Sequence, residues 1–137
     1  MNERVLIDTS ALLALAHPRD QYHTRAVATA RRFLSRHGRW VGTTLVLGEL
    51  HGHLLHRRGP AHARDLTDAL LDDSAYEWMD TTVELVRTAV GSWIERYRDQ
   101  AFSLTDAVSF EIMRRERLQA AFAYDDHFRT AGFELLR

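Results

Sequence analysis

Short apolar runs alternate along this chain with longer segments of helical periodicity, and that alternation restricts the fold more than any other property of the sequence. Arg4–Ile7, Arg39–Thr43, Ala75–Met79, Gln119–Tyr124 and Phe133–Leu136 read as strands. Between them lie helical segments. Asp8-Thr9-Ser10 opens Ala11–Leu15, which stops near Pro18, and a second helix covers Tyr22–Arg36 before Gly38. Thr44 to about Arg58 is broken by Gly59-Pro60, and Pro60–Asp72 follows. A long amphipathic helix is expected over Thr82–Arg98, another from Leu104 to about Arg117, and a short one from Asp125 to Ala131 before Gly132. Strands separated by helices pair in parallel through right-handed crossovers. The expected fold class is therefore α/β, a three-layer α/β/α sandwich with a mainly parallel central sheet.

The strand-to-helix junctions carry acids: Asp8, Glu49, Asp106 and Asp125. In an open parallel sheet the strand C-termini share one edge, with neighbouring strands about 4.8 Å apart, so acids distant in sequence meet there. Clustered carboxylates either take up protons or hold a cation. Each has a plainer explanation too. Asp8 suits an N-cap, and Asp106 in a first helical turn suits the helix dipole. Glu49 falls between Leu45 and Val46 on a helical wheel, in a partly apolar arc where a solvated glutamate has no obvious place. Asp125 is nearest the strand, while Asp126 beside it leaves the choice between the two open.

The composition narrows the chemistry. With 137 residues the chain suits one domain, 1–137, able to bury roughly two thirds of its unfolded surface. It has no cysteine, which excludes disulfides, thiolate metal sites and a cysteine nucleophile. All 18 basic residues are arginine, and the net charge of −1 argues against bulk-charge coating of nucleic acid. No apolar run reaches the ~18 residues of a membrane span, and the N-terminus enters a short strand without a signal-peptide core. A cytoplasmic location is expected.

Four segments then fit one pattern: V-L-I-D-T-S at 5–10, Gly48-Glu49 early in a helix, S-L-T-D-A-V-S-F at 103–110, and A-Y-D-D-H-F-R-T-A-G-F at 123–133. In order and spacing the chain resembles a PIN domain, and more narrowly the VapC-type toxins of toxin–antitoxin pairs. The resemblance implies an Mg²⁺- or Mn²⁺-dependent endoribonuclease whose acids are Asp8, Glu49, Asp106 and Asp125. It also implies a small antitoxin partner covering the acidic site, and a homodimer. Many such domains carry threonine two residues before the last acid, where this chain has Ala123.

Hard oxygen ligands favour Mg²⁺ or Mn²⁺ and phosphodiester hydrolysis. On this expectation Asp8 and Asp106 hold metal directly, and Glu49 and Asp125 bind it directly or through water. Thr9, Ser10 and Thr105 place water or phosphate. Arg114, Arg115, Arg117 and His127 are candidate RNA contacts, although arginines ending a helix suit its dipole anyway. His53 and His56 share a stripe with Glu49, but His56 is about 10 Å along the axis, too far for one ion. Two other readings compete. A phospho-acceptor domain or aspartyl phosphatase needs a lysine, which is absent, and the phosphatase motif needs an acid where Ser10 stands. A PIN-like binding module without catalysis, or a housekeeping RNA-processing nuclease, shares the same pattern.

Overall fold

The computed structural model describes residues 2–137. Strands β1 (Arg4–Ile7), β2 (Arg39–Thr43), β3 (Tyr76–Met79), β4 (Ala120–Phe122) and β5 (Glu134–Leu136) form one sheet in the order β3-β2-β1-β4-β5. Every pairing is parallel. Parallel strands need helical crossovers, and these sort onto the two faces. α1 (Thr9–Ala16), α2 (His23–Ser35), α3 (Thr44–Arg58) and α4 (Pro60–Asp72) cover one face. α5 (Val83–Ala89), α6 (Leu104–Glu116) and α7 (His127–Thr130) cover the other.

The strand period of two builds both cores at once. Val5, Ile7, Trp40 and Phe122 point to the α1–α4 face, where Trp40 stacks between Phe33 and Phe122. Leu6, Val41 and Ala121 point to the opposite face, against Phe110 and Met113 of α6. A sheet buried on both faces explains why its strands read as short continuous apolar runs. Gly42 is required by contact: a Cβ there would lie 2.4 Å from the Trp78 ring. Gly59, at φ 86°, supplies the left-handed turn between α3 and α4.

Three segments depart from expectation. The helix expected over Thr82–Arg98 is α-helical only to Ala89 and continues as a π-helix over Val90–Glu95. In that widened stretch Trp93 is buried, and its indole N–H donates to Glu111 Oε1 at 3.1 Å. β4 ends at Phe122, so Ala123 and Tyr124 belong to a loop rather than to the strand. α7 begins only at His127, two residues beyond Asp125, because the Asp125 carboxylate turns back to accept the His127 backbone N–H at 3.0 Å.

Candidate active site

β1 has β2 on one side and β4 on the other, so the chain order reverses between β1 and β4, and their C-terminal ends form the switch point at which open α/β sheets bind ligands. Asp8 follows β1 and lies beside β4, its backbone N–H bonded to Phe122 O at 3.0 Å. It caps α1, as Ser10 N donates to its Oδ2 at 3.2 Å. A cap on a helix is ordinarily solvated, but Asp8 is 4% exposed and has no cationic partner among the described residues. Burial, together with the Asp125 and Asp106 charges, pushes its carboxyl up to about 7 against the opposing hydrogen bonds of Ser10.

Asp106 enters from the N-terminal turn of α6. A capping box holds it: Asp106 N donates to Ser103 Oγ at 3.0 Å, and Ser103 N donates to Asp106 Oδ2 at 3.1 Å. The same Oδ2 meets His127 Nδ1 at 2.8 Å. Burial raises the Asp106 carboxyl, and the bond to His127 only partly offsets this. One carboxylate oxygen of Asp106 has no partner among the described residues and is available to a ligand. Ligand atoms of Asp106, Asp125 and His127 all lie within 4.8 Å of one another.

Asp126, by contrast, is exposed and lies 3.5 Å from Arg129 and 3.3 Å from Arg137. Asp126→Asn is therefore expected to keep most activity where Asp125→Asn loses it, as read by initial cleavage rates at saturating metal. The reverse order would assign the site to the wrong acid.

Glu49 departs from the helical-wheel expectation. The buried stripe of α3 is Val46, Leu47, Leu50 and Leu54, and Glu49 stands outside it, exposed beside Gly48, Gly52, His53 and His56. It is in the second turn of a helix that starts at the same sheet edge. No hydrogen bond or ion pair joins it to the other acids among the described residues.

The hydroxyls also separate. Ser10 Oγ donates to Asp8 Oδ2 at 2.7 Å and accepts from Tyr124 N at 3.0 Å, so it fastens the loop after β4 to the end of β1. It positions Asp8 rather than a water. Thr9 Oγ1 is buried without a partner, and Thr105 is half-buried in the first turn of α6.

Arg114, Arg115 and Arg117 are not brought to the acids. They end α6, about 12–17 Å along its axis from Asp106. That end lies at the opposite sheet edge, where Glu116 pairs with Arg4 at 3.0 Å. Arg114 and Arg115 both bind the fully buried Glu111, and Arg115 also grips Glu84. These arginines neutralise a buried carboxylate. His127 does reach the site, through Asp106. Neither its tie to Asp106 nor the Ser10 bridge has a signal in the sequence. The Ser103-x-x-Asp106 spacing is a legible capping-box signal.

Residues 5–134 match the PIN domain family. The chain is 32% identical to the 23S rRNA-specific endonuclease VapC20 of Mycobacterium tuberculosis over 134 residues, which cover 97% of this chain and 98% of the relative. It superposes on the crystal structure of that protein, described as a Sarcin-Ricin loop cleaving toxin, with a TM-score of 0.82 at 30% identity, covering 94% and 95% of the two chains. The fold is shared with VapBC2 from Rickettsia felis, at TM-score 0.64, 14% identity and 96% of each chain. It is shared too with FitAcB from Neisseria gonorrhoeae, at TM-score 0.66, 14% identity and 97% and 96% coverage. The parallel sheet, the acids gathered at its switch point and the match across nearly the whole chain agree: the chain belongs to the PIN domain family, and within it resembles the VapC proteins.

Proposed function

We propose that this chain is a metal-dependent endoribonuclease and the toxin of a toxin–antitoxin pair. The observation that carries the reading is the carboxylate cluster in which buried Asp8 feels the charges of Asp106 and Asp125 with no arginine to balance them. Carboxylate oxygens with one imidazole nitrogen nearby suit Mg²⁺ or Mn²⁺. Asp8, Asp106 and Asp125 would hold the ion, with exposed Glu49 acting through water. A divalent ion bound there supplies a Lewis acid that acidifies a water and offsets charge on the phosphodiester.

The protein's own share is placement. Ser10 holds the Asp8 carboxylate in place and ties it to the loop bearing Asp125. Ser103 and His127 fix one oxygen of Asp106. Both acids are set by backbone caps, so little reorganisation is left for the moment of reaction. Thr9 and Thr105 flank them as candidate contacts for water or phosphate.

VapC20, at 32% identity, is named for cleaving 23S rRNA, and the sarcin–ricin loop is the first substrate to try. The likeness to VapBC2 and FitAcB fits an antitoxin partner, and a homodimer is proposed with it. The test is cleavage of rRNA carrying that loop with chelator, Mg²⁺ or Mn²⁺. Cleavage is expected to vanish in chelator and return with either ion. The ion should also raise the melting temperature more at pH 8 than at pH 5, because protons compete for the same oxygens. Undiminished cleavage in chelator would overturn the reading.

A further inference from the structure

A second polar site lies on the α1–α4 side of the molecule. His17, Pro18, Arg19, Asp20 and Gln21, in the turn between α1 and α2, line a cavity of about 880 Å³ with Arg57 and Arg58 from the end of α3. Three guanidiniums face one carboxylate. Among the described residues Arg19, Arg57 and Arg58 have no ion pair, although seven other arginines do. Asp20 does not neutralise them, since its Oδ1 accepts the Tyr22 backbone N–H at 2.8 Å. His17 is 8% exposed, and its Nε2 is buried without a partner, an unsatisfied polar group in the cavity wall. Burial and the charges of Arg57 and Arg58 lower its basicity, so several positive groups converge there.

We infer that this cavity binds a backbone phosphate of the same RNA strand that is cut at the acids. Arginine forks match phosphate oxygens in pairs, and unpaired guanidiniums keep their donors free for them. The spacing fits a strand spanning both sites. His17 lies nine residues beyond Asp8, roughly 13 Å along α1, or about four nucleotides of stacked strand. Tyr22, which follows the cavity-lining turn, stacks on Tyr124 at 4.5 Å, and Tyr124 adjoins Asp125, so the turn and the acid-bearing loop are in contact.

The proposal rests on RNA being the substrate, and it is tested without cleavage. Binding of a 20-nucleotide single-stranded RNA is followed by fluorescence anisotropy in chelator across a salt series. Arg19→Gln/Arg57→Gln/Arg58→Gln is expected to weaken binding at least about tenfold. It should also flatten the salt slope by about 0.7 for each phosphate that the variant no longer neutralises. Restoring charge with lysine at the same three positions should recover the slope but not the full affinity. Unchanged affinity and slope in the glutamine variant, or no saturable binding by the natural protein, would overturn the proposal. So would a hexaglutamate peptide that binds more tightly than RNA and alone loses affinity in the variant, because the cavity would then take a protein. RNA binding without metal-dependent cleavage would defeat the nuclease reading only, and cleavage with affinity indifferent to these arginines would defeat this inference only.

Discussion

Asp8→Asn is expected to lower RNA cleavage on the order of a thousandfold while making the metal-free protein more stable at pH 8. The two effects share one cause. Burial and two neighbouring acids raise the Asp8 carboxyl from 3.8 to about 7. An acid with a raised folded value binds its proton more tightly in the native state than in the unfolded chain. Its contribution to stability is therefore complete below about pH 4 and lost as pH rises through 7. Above that, the native state carries an ionised buried carboxylate, at a cost of up to about 4 kcal/mol by the conversion of 1.36 kcal/mol per pKa unit. Asparagine keeps the shape and can still accept both Ser10 hydrogen bonds, but it carries no charge.

In chelator at pH 8 the variant should melt roughly 5–10 °C above the natural protein, and the gap should close by pH 4. Adding Mn²⁺ should reverse the order, because only the natural protein gains from the ion. Calorimetry at the two pH values reads all three outcomes. A variant that melts lower at pH 8 in chelator would mean that Asp8 is not the strained anion the geometry makes it.

Glu111→Ala is expected to cost about 2–3 kcal/mol, mainly from a buried donor left without its acceptor. Glu111 is fully buried in the middle of α6. Burial alone would raise its carboxyl, but hydrogen bonds from Arg114, Arg115 and Trp93 outweigh that and hold it at about 2. Removing it strands the Trp93 N–H and leaves two guanidiniums without their shared partner. Glu111→Gln keeps an acceptor for Trp93 and should cost about half as much. A depressed acid works in the opposite sense to Asp8: its stabilisation is present above about pH 4.5 and is lost as pH falls toward 2. Urea unfolding at pH 7 and pH 3 should therefore show a large gap between natural and alanine proteins that narrows in acid. Equal stability at pH 7 would show that the network is decorative.

Two buried acids thus lie on opposite sides of neutrality for opposite reasons. Asp8 has anions for neighbours and Glu111 has cations. Both lie beside apolar residues in the sequence. Glu111 is half legible there, with arginines three and four residues further along its own helix, while its third partner, Trp93, is on a π-helical turn whose widened pitch no periodicity announces. Glu49 fails in the other direction. A wheel places it beside apolar residues, but burial depends on which arc of α3 meets α1 and α4, and that arc ends at Val46 and Leu50.

The alternation of apolar runs and helical segments determined the parallel sheet by itself, because strands buried on both faces must be short and continuous and must be joined by helices. The same logic placed Asp8, Asp106 and Asp125 near one sheet edge, since chain direction fixes which end of a strand meets the next helix. Tertiary structure alone decided what those acids experience. Ser10 reaching Tyr124, His127 reaching Asp106 and Trp93 reaching Glu111 are contacts between segments whose approach depends on packing. Hydrogen bonds of this kind depend on distance in space to a fraction of an ångström, and spacing along the chain carries no such information.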